Sequence, residues 1–191
     1  INSSKGAGTV MRTGPIGFFV SKLDAEAAFR IGRDSSALTH GHPSGYLAGA
    51  AMSWLIWHAV QSNRGRRLPF NALVNRLMAE PDHAELVEIL IRTYDAIGLF
   101  KTGIDSGLLG EGWVAEEALA IALFASRADD LGGALSMAVN HDGDSDTTAS
   151  ICGQLWGAFH GLDGIPESWM GALDAWEPII DMIDCIPLRN I

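Results

Sequence analysis

Between Pro43 and Asn63 the chain carries no Lys, Arg, Asp or Glu: P-S-G-Y-L-A-G-A-A-M-S-W-L-I-W-H-A-V-Q-S-N. A segment of this kind has no charged face to turn toward water, so the rest of the fold has to wrap around it. Its Gly, Ser, His, Gln and Asn content leaves only the middle strongly apolar, which argues against a membrane span. The expectation is a central helix buried on most faces, with Pro43 as its first residue and His58 in the core or at its boundary.

The segments that would cover such a helix read as helices themselves. L-D-A-E-A-A-F-R-I fits a helix from Leu23 to Ile31, and F-N-A-L-V-N-R-L-M a short one. D-H-A-E-L-V-E-I-L-I-R-T-Y-D-A-I-G places Leu86, Ile89, Leu90 and Ile97 on one face and stops at Gly98. V-A-E-E-A-L-A-I-A-L-F-A and D-L-G-G-A-L-S-M-A-V-N follow, then an apolar run ending near Gly161. Pro166 is expected to open P-E-S-W-M-G-A-L-D-A-W, and Pro178 to open P-I-I-D-M-I-D. Trp156, Trp169 and Trp176 have helical spacing that suits the core. The N-terminal N-S-S-K-G-A-G-T-V-M-R-T-G-P-I-G lacks periodicity and reads as a loop. So do S-A-L-T-H-G-H-P, the basic N-R-G-R-R-L-P and the Gly-rich residues 101–112. No strand, repeat or low-complexity segment is visible, so the fold is expected to be all-α. The length of 191 residues suits one domain, 1–191.

A net charge of −10 argues against nucleic acid and anionic membranes as partners, because phosphate surfaces need clustered Lys and Arg. A phosphate-bearing small ligand remains open if metal, backbone N–H groups or a few cations meet its charge. Cys152 and Cys185 form no CxxC, in keeping with a reducing, cytoplasmic setting.

Chemistry concentrates in G-D-S-D-T, Gly143 to Thr147. Asp144, Asp146 and Thr147 gather two carboxylates and a hydroxyl where a turn feeds a helix. Two readings stay open. An Asp there can be an N-cap that accepts a backbone N–H. Clustered hard oxygens can also hold Mg²⁺ or Ca²⁺. An EF-hand is excluded, since Thr147 stands where its loop needs Gly and Gly153 where it needs Glu. Any metal site here has to be completed from elsewhere. At the N-terminus, Gly6 and Gly8 free the backbone to turn N–H groups toward an anion, with Lys5 and Arg12 alongside. The segment is neither a P-loop nor a dinucleotide fingerprint, because Lys5 precedes the glycines and Met11 stands where a third Gly belongs. His40 and His42 lack a Cys or third His for zinc. They fit a ligand-pocket wall or a plain helix entry.

Three separated blocks give the chain a family likeness: S-K-G-A-G-T-V-M-R-T-G-P-I-G, T-H-G-H-P, and A-V-N-H-D-G-D-S-D-T-T-A-S-I-C-G-Q-L-W-G-A-F-H-G-L-D-G-I-P-E-S-W. With the intervening L-G-E-G-W-V-A-E-E-A-L-A-I-A-L, they resemble the ADP-ribosylglycohydrolases, all-α enzymes related to dinitrogenase-reductase-activating glycohydrolase. The resemblance implies a compact multi-helix orthogonal bundle. It implies that Asp144, Asp146 and Thr147 are ligands in a two-Mg²⁺ site, with the aspartates serving catalysis. It implies that Ser4, Lys5, Gly6, Ala7, Gly8 and Thr9, with Met11 and Arg12 following, form the loop around the diphosphate and ribose. His40 would line the same site. The implied activity is Mg²⁺-dependent cleavage of the N- or O-glycosidic bond joining ADP-ribose to a protein side chain or small acceptor. The alternative is a catalytically silent ADP-ribose binder or structural member of the fold.

The match has departures. The family's Thr-Asp-Asp ligand block is absent; Asp129-Asp130 follows Ala128 and is not a substitute. Asp142 stands where the family usually has Gly. With Ile1 in place of Met, these suggest the C-terminal portion of a longer enzyme, carrying half of a dinuclear site and partnered by an N-terminal half.

Overall fold

In a computed structural model, which describes residues 2–20, 22–62, 68–99, 103 and 105–185, the uncharged stretch is one helix from Pro43 to Gln61. Two helices precede it, α1 (Gly8–Phe19) and α2 (Ala25–Ala37), so it is α3. Leu47, Ala48, Ala50, Ala51, Met52, Leu55 and Ile56 along it are fully buried. Pro43 sits in its first turn, where its missing N–H is no loss. His58 is half-buried against Trp54 and Trp57, so it lies at the core boundary. The helices α4 (Phe70–Leu77), α5 (Ala84–Leu99), α6 (Ser106–Leu109), α7 (Ala115–Ala125), α8 (Leu131–Val139) and α9 (Ser145–His160) follow. A 3₁₀ turn at Leu162–Gly164, α10 (Glu167–Met170) and α11 (Trp176–Cys185) complete the described chain. Among the described residues there is no strand, only an isolated bridge between Gly6 and Val114. No described helix is long and apolar enough to cross a membrane.

α1 and α2 lie along α3, which also meets α7 and α9; α5 and α8 close the layer over α7 and α9. The all-α expectation holds, but several element boundaries do not. The N-terminal segment expected to be a loop is helical from Gly8 onward. Its buried positions are Thr9, Val10, Thr13, Gly14 and Gly17, a helical repeat written in small residues, which a search for large apolar side chains misses. The small face lets α1 approach α3 closely. Thr9 Oγ1 donates to Gly45 O at 2.7 Å and Thr13 Oγ1 to Gly49 O at 2.9 Å. Pro15, inside α1, leaves Met11 O without its usual helical donor. Gln154 of α9 supplies the missing one, Nε2 donating to Met11 O at 3.0 Å.

The first large apolar helix starts at Ala25, with Asp24 as its cap, and runs past Ile31 to Ala37. At the C-terminal end the expected long helix from Pro166 is a single turn, and the last one begins at Trp176, ahead of Pro178. Trp156 is in the core, as expected, but Trp169 is 45% exposed and Trp176 only partly covered. The reason is that neither α10 nor α11 packs extensively on another described helix. Residues 101–112 include the one-turn α6. The basic run at 63–67 and the side chain of Cys185 lie outside the described residues; Cys152 is a buried free thiol, pushed up to about 12 by burial.

Candidate active site

Helix N-termini converge on one edge of the bundle, and short backbone contacts hold them there. Ser4 O accepts from His42 N at 3.2 Å, just before α3. Lys5 O accepts from Ala115 N at 2.7 Å, and Ala7 N donates to Trp113 O at 3.3 Å, where α7 begins and α1 is about to. Asp144 N, at the mouth of α9, donates to Glu111 O at 2.8 Å. Residues 111–115 are therefore a strut with the 4–8 loop on one side and the aspartate turn on the other. Glu117 stiffens it, one carboxylate oxygen accepting from Glu111 N and Gly112 N, each at 3.1 Å. The starts of α1, α3, α7 and α9 put several helix dipoles with their positive ends along this edge.

In the aspartate turn the cap reading fails for Asp144. It occupies the N-cap position of α9, yet its side chain makes no capping hydrogen bond. Neither its carboxylate nor that of Asp146 has a hydrogen-bond partner among the described residues. Asp144 is half-buried, Asp146 exposed and Thr147 buried, with its hydroxyl 3.5 Å from Met11 Sδ. The turn is shaped instead by its neighbours. Gly143 N donates to His141 Nδ1 at 3.1 Å, which leaves His141 Nε2 to donate to Thr148 Oγ1 at 2.9 Å. Thr148 Oγ1 in turn donates to Ala138 O at 2.7 Å. Gly143 lies so close to the strut that a Cβ would stand 1.9 Å from Glu111 O, so no side chain fits there.

Two carboxylates and a hydroxyl, none tied up in capping, match a hard divalent ion in donor type. Among the described residues no group of three His, Cys, Asp or Glu side chains is placed to hold a metal ion. The donors are thus right in kind and incomplete in number. Asp130 does not fill the gap, since it caps α8 by accepting from Gly133 N at 2.8 Å. Asp142 is exposed at the rim of the turn.

The N-terminal residues divide by what their side chains touch. Ser4 is exposed, and Gly6 and Gly8 are half-buried with their backbone beside the His40 ring, a Cβ on Gly6 falling 3.5 Å from His40 Nε2. His40 Nδ1 is 2.7 Å from Thr39 Oγ1, and burial, helped by the Arg12 charge, pulls its pKa below the ordinary value. Ala7 is buried, and Met11, 36% exposed, reaches toward Thr147. Thr9 faces α3, as described above. Arg12 meets no carboxylate among the described residues; it donates to Gly8 O at 2.8 Å, Ser35 O at 3.2 Å and Thr39 Oγ1 at 2.6 Å. Lys5 donates to Glu85 and Glu116. His42 caps α3 through Nδ1, accepting from Ser44 N at 3.2 Å, so His40 and His42 have separate tasks.

Sequence reasoning missed several contributors. Asn2 staples the loop to the α2–α3 turn, its Oδ1 accepting from Ser4 N at 3.1 Å and Gly41 N at 3.0 Å. The strut, with Trp113 59% exposed on it, read as the end of a Gly-rich loop entering a helix and as part of a family-like block, not as a support for the site. His141 and Gln154 carried no local signal, because their partners are chosen by the fold.

The ADP-ribosylglycohydrolase family model matches residues 2–189. The ADP-ribosyl-[dinitrogen reductase] glycohydrolase of Rhodospirillum rubrum is 48% identical over 40 residues, which is 21% of this chain and 14% of that protein. Among solved structures, an ADP-ribosylglycohydrolase-related protein complex matches with a TM-score of 0.72 and 26% identity, over 93% of this chain and 58% of that one. The chain spans little more than half the length of that solved relative.

Proposed function

The chain belongs to the ADP-ribosylglycohydrolase family, and from that premise we propose that it takes part in Mg²⁺-dependent hydrolysis of the glycosidic bond between ADP-ribose and a protein side chain or small acceptor. The observation that carries the reading is the pair of carboxylates of Asp144 and Asp146, without hydrogen-bond partners among the described residues, at a helix mouth beside Thr147. Carboxylates left this way repel each other and gain from a cation between them. Asp144, Asp146 and Thr147 would hold Mg²⁺, with further ligands from the remainder of the protein. When bound, the metal supplies polarisation of ribose oxygens and of a water.

The chain's own residues do the rest. The first-turn N–H groups of α1 lack helical partners and favour an anion such as a diphosphate. His40, kept neutral near pH 7 by its lowered pKa, offers a ring beside that loop without adding charge. Arg12 serves the site indirectly, holding Gly8 O against the end of α2. The aspartates favour the oxocarbenium-like charge that develops on the ribose as the bond breaks.

The test is release of ADP-ribose from ADP-ribosylated peptides by the full-length protein, with and without Mg²⁺. Asp144→Ala and Asp146→Ala should abolish release; wild-type turnover in either at saturating Mg²⁺ sinks the assignment. A second reading, a silent ADP-ribose binder, is favoured by the incomplete donor set. It wins if the full-length protein binds ADP-ribose tightly and releases none from any modified Arg, Ser or small-molecule substrate.

A further inference from the structure

We infer that Lys5 is a positioning residue: its ammonium, held by Glu116 and Glu85, nails the 4–8 loop to three helix starts and does not reach the ligand's phosphates. The inference rests on the reading of that loop as the ADP-ribose-binding loop. A lysine next to Gly-x-Gly invites the opposite assignment, so the contacts have to decide.

Lys5 Nζ donates to Glu116 Oε1 at 2.6 Å and also to Glu85 Oε1. Glu85 is in the first turn of α5 and Glu116 in the first turn of α7, where the helix dipoles favour carboxylates. Ser44, in the first turn of α3, donates its hydroxyl to Glu85 Oε2 at 2.8 Å, and His42 Nε2 stands 3.8 Å from the same oxygen. Lys5 is fixed at its backbone too, through the Lys5 O to Ala115 N bond. Both ends of the residue therefore attach to the start of α7.

The two carboxylates differ. Glu85 is partly exposed, and Lys5, aided by the Ser44 hydroxyl, holds it down to about 2. Glu116 is 3% exposed, and burial raises its pKa against the pull of Lys5. Its Oε2 is buried without a partner, so Lys5 is the side chain that satisfies this group. Swinging the ammonium to a phosphate would strand a buried carboxylate, which is costly. Lys5 itself gains from both carboxylates, which push its pKa up. Its cationic role is filled inside the protein.

The two assignments predict opposite signs for Glu116→Leu. In the full-length protein, ADP-ribose affinity would be measured by titration calorimetry for wild type, Lys5→Met, Glu116→Leu and the double variant. A positioning Lys5 predicts that both single variants bind about tenfold more weakly and that the double variant is no weaker than either. If Glu116→Leu binds as tightly as wild type or tighter, and Lys5→Met alone loses affinity, the ammonium contacts ligand and the inference is overturned. Hydrogen exchange without ligand is the second readout. The amides of Ala7 and Ala115 should exchange faster in both single variants, and unchanged exchange also overturns it. If wild type binds no ADP-ribose, the functional reading fails and exchange alone decides the role of Lys5. Should Lys5→Met not fold, Glu85→Gln at the exposed end carries the test: a smaller change in the same direction supports the inference, and wild-type values contradict it.

Discussion

Asp24, Asp130 and Asp144 each stand immediately before a helix, and they do not all behave alike. Asp24 Oδ1 accepts from Ala27 N at 2.7 Å and Asp130 Oδ1 from Gly133 N at 2.8 Å, while Asp144 leaves its helix uncapped. Their local sequences do not announce the distinction, because what frees Asp144 is the turn built by His141 and the strut. Thermal or urea unfolding should show the contrast. Asp24→Ala and Asp130→Ala should each lose about 1 kcal/mol, and Asp144→Ala should stay within about 0.5 kcal/mol of wild type. His141→Ala should weaken Mg²⁺ binding by ~10-fold or more through the misplaced turn, read by calorimetry. His58 adds a pH effect. Burial lowers its pKa from 6.5, and its Nε2 is buried without a hydrogen bond. The unfolded chain therefore takes up the proton first. Stability should be unaffected by this group above pH 6.5 and fall as pH drops through the lower folded value. His40 acts in the same sense. A His58→Leu variant should lose less of its urea midpoint than wild type between pH 7.5 and 5, as measured in paired titrations.

At the level of elements, legibility followed side-chain size. α3, α5 and α7 announce themselves through Leu, Ile and Ala at helical spacing, and α9 through its apolar run. α1 does not, because the face it buries is Thr, Val and Gly, and its interior Pro is made tolerable by a Gln from the other end of the chain. Nothing within fifteen residues of Pro15 could have said so. Trp169 misled in the opposite direction, since it has the right spacing but its helix packs extensively on no other described helix. The importance of the α1–α3 contact is measurable at Gly17. A Cβ there would lie 2.6 Å from Ser53 O and 2.7 Å from Trp57 N, both backbone atoms that cannot step aside. Gly17→Ala should destabilise the protein by about 1–3 kcal/mol, seen as a lower unfolding midpoint; a neutral effect would mean that α1 is not seated as described.

For the molecule as a whole, the site is an assembly of chain segments that no local pattern could bring together. The 4–8 loop, the His40 turn, the 111–115 strut and the aspartate turn meet because α1, α7 and α9 pack around α3 with their starts on one edge. The motifs were visible one by one, and their convergence was implied only by the family likeness. A net charge of −10 coexists with that edge, since helix dipoles and backbone N–H groups, not surface lysines, would meet an anion there. The central claim is that Asp144 and Asp146 are left unpaired for a metal ion. Its most direct test is an anomalous difference map from crystals of the full-length protein soaked in Mn²⁺ as a stand-in for Mg²⁺. The account predicts a peak at coordination distance, about 2.0–2.3 Å, from carboxylate oxygens of Asp144 and Asp146 and from the Thr147 hydroxyl. A map with no peak there, and with the two carboxylates turned onto backbone amides of α9, would contradict it.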